Sequence, residues 1–361
     1  MNFAIRVDAS NSIGTGHVVR CLALAIKLKA YKVNIVFICK LLKGNLIKTI
    51  HERGFPVFEL DEKTNGPDFY WEQDALQCIN IFQNAKIDCL IVDHYSLDFR
   101  WEKLIKSISR NIVVIDDLAD RKHTCDMLVD QNWFGEKTET RYISLLPAIC
   151  KYYLGPKYAL LGPDYEKPEI NQNIRDGAIK SILVFLGGSD PDNQTSKVLN
   201  ALSHPSFSHI HVDVVLGINH KFVANINSLA LIRKRTKIFQ NIPSLAPLMN
   251  TADLMISGGG VITWEKMCIG LPSIVISIAN NQIEMNKSLM EAGYINYIGH
   301  YLDVTEENII LKLQQLLSKK ELLKKQSKIG KRLVDGLGIN RISRNILDLV
   351  KNNVPTVDNR I

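Results

Sequence analysis

Phe3-Ala-Ile-Arg-Val7, then Gly14-Thr-Gly-His17, then Val18-Val-Arg-Cys-Leu-Ala-Leu-Ala-Ile-Lys-Leu28 is the stretch that decides the fold. The first segment alternates apolar residues with others and predicts a buried strand. Val18, Cys21, Leu22, Ala25 and Leu28 recur at helical spacing and predict one apolar helix face. Between them lies a glycine turn. Strand, glycine turn and helix form the opening of a doubly wound α/β unit. Outward from it, Val33–Ile38, Val57–Leu60, Cys89–Val92 and Ile112–Ile115 read as strands. Leu46–Arg53, Asp74–Asn84 and Leu97–Ser109 read as helices between them. That alternation implies a parallel sheet covered on both faces.

The plan restarts at Ile182-Leu-Val-Phe-Leu186, which runs into Gly187-Gly-Ser-Asp190. Val212–Leu216, Leu254–Ser257 and Ser273–Ile278 follow as strands. Leu322–Val350 reads as helix, interrupted at Gly336-Leu-Gly338. The expected organisation is a Rossmann-like domain over 1–162, a linker over 163–180, a second Rossmann-like domain over 181–350 and a frayed tail over 351–361. A chain of 361 residues suits two such domains. The fold class is α/β, with two Rossmann-like domains whose parallel sheets face a central cleft.

Hydrophobic residues form 46% of the chain and charged ones 22%, enough to build two cores. A net charge of +7 suits a polyanionic ligand, whether sugar nucleotide or RNA. No dense basic stripe interleaves with aromatics, so nucleic acid is not expected. Lys40, Lys43 and Lys48 read as a solvated face rather than a membrane contact. The seven scattered cysteines lack the short spacing of a zinc or dithiol site and read as small buried hydrophobes. No apolar run is membrane-length, and the chain starts directly with a strand. A cytoplasmic monomer without cofactor or metal is the expectation.

Three glycine turns follow predicted strands: Gly14-Thr-Gly16, Gly187-Gly-Ser189 and Gly258-Gly-Gly260. Such turns let backbone N–H groups approach a phosphate, though any one alone could be a tight turn and no more. Gly187, Gly188, Ser189, Gly259 and Gly260 are the nucleotide-binding candidates. His17 directly follows the first turn, at a helix start that disfavours imidazolium, so it is the candidate general base. Glu265, five residues past Gly260, is placed to accept from ribose hydroxyls. Asn281 and Gln282 follow a buried strand and serve either as helix caps or as partners of sugar hydroxyls. Asp93-His-Tyr95 ends another strand at the same expected crevice. Asp116-Asp117 and Asp190-Pro-Asp192 read as turn and cap residues, not metal ligands.

Together these segments are similar to the PseG family, the UDP-2,4-diacetamido-2,4,6-trideoxy-β-L-altropyranose hydrolases of pseudaminic acid biosynthesis. The resemblance lies in Arg6-Val-Asp-Ala-Ser10, Ile13-Gly-Thr-Gly-His17, Arg20, Leu22-Ala23, Asp93-His-Tyr95 and Gly155-Pro-Lys-Tyr-Ala-Leu-Leu161. It continues in Leu186-Gly-Gly-Ser-Asp190, Gly258–Glu265 and Asn281-Gln282, spanning residues 3 to 295. It implies a GT-B-like fold that holds UDP mainly in the second half, and water attack at C1 with His17 as base. It also implies sugar-side contacts from Arg6, Asp8, Gly14, Gly16, Tyr95 and Asn281, with Glu265 on the nucleotide. Gly162 departs from the pattern, where the family would suggest an arginine. A glycosyltransferase, a 2-epimerase or a non-catalytic UDP-sugar binder would share most of these features.

Overall fold

A computed structural model of the chain describes residues 1–61, 70–83, 86–166, 175–218 and 220–353. It divides into two compact units. The first comprises Met1–Asn132, Lys137–Leu160 and Leu337 onward; the second comprises Trp133–Glu136 and Leu161–Gly336.

The first unit runs β1 (Asn2–Val7), α1 (Gly16–Ala30), β2 (Asn34–Lys40), α2 (Ile47–Glu52), β3 (Val57–Leu60), α3 (Trp71–Ile81) and β4 (Cys89–Asp93). It continues through α4 (Phe99–Ile105), β5 (Ile112–Ile115), β6 (Met127–Asp130) and β7 (Lys151–Leu154). Its seven strands are parallel, in the order β3-β2-β1-β4-β5-β6-β7. Central β4 and β5 are buried throughout, because helices cover both faces of the sheet. Phe3, Ile5, Phe37, Ile91 and Val113 face one core with α1; Leu90, Val92 and Leu128 face another with Trp101 of α4.

In the second unit come β8 (Ser181–Phe185), α5 (Gln194–Leu202), β9 (His211–Leu216), α6 (Val223–Ile232), β10 (Thr236–Gln240), α7 (Ala246–Thr251) and β11 (Leu254–Ser257). After them come α8 (Ile262–Ile269), β12 (Ser273–Ser277), α9 (Ile283–Glu291), β13 (Asn296–His300), α10 (Glu306–Leu317) and α11 (Lys320–Leu333). The order β10-β9-β8-β11-β12-β13 is again fully parallel.

The last helix, α12 (Gly338–Asn352), moves the expected boundary at 350. Its Ile339, Ile342, Ile346, Leu349 and Val350 are buried in the core of β1, β2 and α1. Each such side chain contributes about 1.5–3 kcal/mol when fully buried, so the helix belongs with the first unit although it follows the second in sequence. The strands β6, β7, β10 and β13 add to those expected. Helix α4 stops short of Ser109, ending at Ile105. Pro163–Glu166 forms a 3-10 turn, while the linker residues 167–174, the tail residues 354–361, the polar residues 62–69 and Asn84 lie outside the described residues. All seven cysteines are buried and free. Among the described residues no helix is long and apolar enough to cross a membrane.

Candidate active site

Each sheet reverses its winding once, between β1 and β4 in the first unit and between β8 and β11 in the second. At such a switch point the loops leaving neighbouring strands diverge and open a crevice at their carboxyl ends. The predicted residues of the first unit cluster at that reversal.

In the first unit Val7 is paired with Asp93 across β1 and β4, so the loop carrying His17 starts beside the end of β4. His17 Nδ1 lies 2.6 Å from Asp93 Oδ1. Asp93 is also gripped by Arg20, whose Nε and Nη2 donate to its two oxygens at 2.6 and 2.7 Å. The other edge of the same guanidinium donates to Asp117 at 2.8 and 2.9 Å. Tyr95 Oη donates to Asp117 at 2.8 Å, and its ring meets the His17 ring edge-on, centroids 4.5 Å apart. Asn132 Nδ2 donates to Asp117 at 2.8 Å. Burial pushes the Asp93 carboxyl up, but the Arg20 guanidinium and His17 outweigh it and hold the group well below the usual carboxylate range. Asp117 is lowered for the same reason, Arg20 overcoming burial. Burial and the Asp117 carboxylate hold the Tyr95 hydroxyl protonated.

An ionised Asp93 accepts from Nδ1–H and fixes the tautomer in which His17 Nε2 carries the lone pair. Arg20 grips both oxygens of Asp93, so the carboxylate that orients the imidazole is itself held in place. The sequence marked His17 and Tyr95 as site residues; Arg20 entered only through the family motif, and the roles of Asp93 and Asp117 as its partners were missed. Asp117, read as a turn residue, is the second arm of the Arg20 clamp. The one available signal was the position of Asp93 at a strand end.

Arg6 and Asp8 are fully enclosed. Arg6 donates to Asp8 at 2.6 and 2.8 Å and to Asp74 at 3.1 and 2.6 Å. His94 Nε2 lies 3.2 Å from Asp8, and Lys40 Nζ lies 3.6 Å from Asp74. Trp101 Nε1 donates to Asp74 at 3.0 Å. Lys40 is therefore buried in this network and is no part of a solvated face. Arg6 and Asp8 face each other and not solvent. Gly14 turns the chain at φ +83°, its N–H donating to Ser10 O at 2.8 Å, and Gly16 opens α1.

In the second unit, a Cβ added to Gly187 or to Gly258 would come within 3.3 and 3.2 Å of the same Ile278 Cδ1, so the two glycine loops share one neighbour. Gly187 has φ +105°, open to glycine and strained for other residues. Gly188 lies against Gly217, and Ser189 precedes Asp190. Asp190 accepts from Gln194 and Thr195 N–H at 2.8 Å each, so the start of α5 is capped by this chain's own carboxylate. That agrees with its reading as a cap. Gln282 Oε1 accepts from Gly259 N–H at 3.2 Å and Ile278 N–H at 3.0 Å, tying the third glycine loop to the end of β12. Gly259 is pressed against the Asn286 side chain, which leaves no room for a Cβ. Gly260 is half-buried ahead of α8, and Asn281 is exposed in the turn Asn280–Gln282.

Glu265 is half-buried on α8, and its Oε2 accepts from Tyr165 Oη at 2.8 Å. Burial pushes its carboxyl up to about 7, against the lowering effect of the Tyr165 bond. A Cβ at Gly162 would meet nothing within 4 Å, so the backbone there has room for the side chain it lacks. Among the described residues no group of three or more His, Cys, Asp or Glu is arranged to hold a metal ion.

The chain is 28% identical over 281 residues to an uncharacterized protein of Methanocaldococcus jannaschii, across 76% of this chain but only 55% of that protein's length. It is 25% identical to the UDP-2,4-diacetamido-2,4,6-trideoxy-beta-L-altropyranose hydrolase of Campylobacter jejuni, covering 81% of this chain and 98% of that one. It is 26% identical to the spore coat polysaccharide biosynthesis protein SpsG of Bacillus subtilis, covering 98% and 100%. Among solved structures, Acinetobacter baumannii MurG superposes with a TM-score of 0.67 at 13% identity, over 96% of this chain and 99% of that one. The architecture is thus GT-B-like, two parallel-sheet α/β units. Within it, residues 182–337 match the family described as Glycosyltransferase family 28 C-terminal domain.

Proposed function

We propose that this chain hydrolyses a UDP-activated diacetamido-trideoxyhexose of the kind named for its Campylobacter relative. Water attacks C1, the C1–O bond breaks with inversion, and UDP departs with the bonding electrons. The observation that carries the reading is the 2.6 Å contact of His17 with Asp93 at a switch point, which directs Nε2 to act as acceptor of the water proton. Tyr95 supports the sugar side, and Arg6 and Asp8 brace the loop through their buried pairing. The glycine loops of the second unit, with Glu265, Asn281 and Gln282, hold the UDP and the adjoining sugar hydroxyls. UDP is a good leaving group once backbone N–H groups take its charge, so one base suffices.

The test is a proton NMR time course with UDP-2,4-diacetamido-2,4,6-trideoxy-β-L-altropyranose, without metal or acceptor, beside His17→Asn. The wild type is expected to release free hexose and UDP, and the variant to lose about 10²–10⁴-fold in rate while still binding UDP. Equal rates would remove His17 from the mechanism. A second reading, transfer to an acceptor hydroxyl, is favoured by the glycosyltransferase match over 182–337. It predicts intact substrate until an acceptor is added.

A further inference from the structure

Beneath the Gly258–Gly260 loop lies a layer of polar side chains in which the proposed reaction has assigned nothing. Lys266 of α8 is completely buried, and its Nζ donates to Ser257 Oγ at 2.9 Å. Ser257, also completely buried, donates in turn to Gly258 O at 2.9 Å. Asn286 Nδ2 donates to Ser277 Oγ at 2.9 Å, while Asn286 Oδ1 is buried without a partner. An ammonium carries three donors, and here one neutral acceptor meets it; among the described residues Lys266 has no carboxylate partner. An unmatched buried cation is costly and tends to shed its proton. Burial indeed pushes the Lys266 ammonium down to about 7. A fold that retains such a group directly under a phosphate-type loop leaves a charge to be supplied from outside.

We propose that Lys266 is the buried counter-charge of the nucleotide's diphosphate, a positioning residue that supports the Gly258–Gly260 loop through Ser257 and takes up a proton when the anion binds. This rests on the reading of the loop as a nucleotide site. The linkage has a definite sign. Below pH 7 the free protein already holds the proton, so affinity does not depend on it. Above pH 7 binding must import a proton, and affinity falls by up to about tenfold per pH unit.

The other titratable groups around α8 leave that window readable. Glu265, pushed up to about 7, is largely ionised above pH 8, and its own effect on binding runs in the opposite sense. Cys268 is pushed up to about 12 by burial, and the Tyr165 hydroxyl well above its ordinary value. Asp164 and Glu166 flank Tyr165 in the 3-10 turn packed on α8. Lys331 of α11 lies against Gly270 at the far end of α8. The terminal phosphate of UDP has already lost its last proton, near pH 6.

The experiment is calorimetric titration of the full chain with UDP from pH 7 to 9, in two buffers of different ionisation enthalpy. The wild type should take up close to one proton at pH 8 and weaken steadily with pH. Lys266→Met should bind UDP about tenfold more weakly at pH 7, take up no proton and show no decline toward pH 9, whereas Lys331→Met keeps the wild-type slope. UDP binding by the wild type without proton uptake overturns the role of Lys266 and leaves the nucleotide site standing; that measurement needs no variant to fold. A Lys266→Met variant that retains the slope overturns it equally. No UDP binding at any pH removes the nucleotide site and this proposal together.

Discussion

At the carboxyl edge of β1 and β4, the buried charges meet opposite partners, Arg20 on Asp93 and Asp117 and Arg6 on Asp8 and Asp74, and His17 is bonded to Asp93. At the corresponding edge of β8 and β11, Asp190 caps α5 and lies 3.4 Å from His220, but the glycine loops bring only backbone and amides. The two titratable groups of α8 beside them, Glu265 and Lys266, bond only neutral partners among the described residues. The winding is the same in both sheets, so topology does not dictate this difference. A paired cluster in low dielectric fixes protonation states and orientations, as a proton-transfer residue requires. An underpaired end is strained when empty and stands to gain when an anion with hydroxyl donors arrives. The first edge is built to be ready, the second to be completed.

The sharpest way to break that contrast is to remove a charge from each edge and compare stability. Arg20→Met strands Asp93 and Asp117 as adjacent buried carboxylates, and should cost about 3–5 kcal/mol in urea unfolding at pH 7. Lys266→Met, by contrast, removes a cation with one acceptor and should raise the unfolding midpoint. Losses of similar size in both variants would show that Lys266 is paired in solution and that the second edge is no less saturated than the first.

The next effect is smaller and depends on pH. Glu265 titrates near 7 in the folded chain, above its ordinary value of 4.5. A raised acid favours the folded state below the unfolded value, and that contribution is lost as pH rises from about 4.5 through 7. Glu265→Gln should therefore stabilise the protein at pH 8 by on the order of 1–3 kcal/mol and leave it unchanged near pH 4.5. The same variant should bind UDP more weakly at pH 8. A gain in stability together with a loss of affinity is the mark of a residue kept for a ligand. Equal stability at both pH values would place the Glu265 carboxyl in water.

How much of this could be read from the sequence follows from where each residue sits. Central strands such as β4 and β11 are covered on both faces and read as unbroken apolar runs. By contrast β10, Thr236-Lys-Ile-Phe-Gln240, is an edge strand with no fully buried residue, and it carried no such signal. β13 is the opposite edge and ends on the half-buried Ile298-Gly-His300. The apolar face of α12 announced that it packs, but nothing in its sequence says against which sheet. His17 was legible because a glycine turn sits beside it. Its partner Asp93 is 76 positions away, and Asp117 lies 97 from Arg20; only the strand order β1-β4-β5 brings them together. Single charged residues at strand ends look alike until that order is known. The predicted contacts Arg6 and Asp8 show the converse: a recognisable motif whose side chains turn inward, to Asp74 and to each other.

The smallest expected effect tests whether pairing at the first edge orients His17 or does the chemistry itself. Tyr95→Phe keeps the ring that meets His17 edge-on and deletes only the hydroxyl bond to Asp117. Such a bond contributes about 0.5–1.5 kcal/mol, so the rate of sugar release should fall by no more than about tenfold. Asp117 keeps Arg20 and Asn132 as donors, which limits the damage further. The hydroxyl is held protonated across the physiological range, so the pH profile of the rate should keep its wild-type shape. A loss as large as that of His17→Asn, or a displaced alkaline limb, would make Tyr95 a proton-transfer group in its own right. The first edge would then hold two reacting side chains instead of one base and its supports.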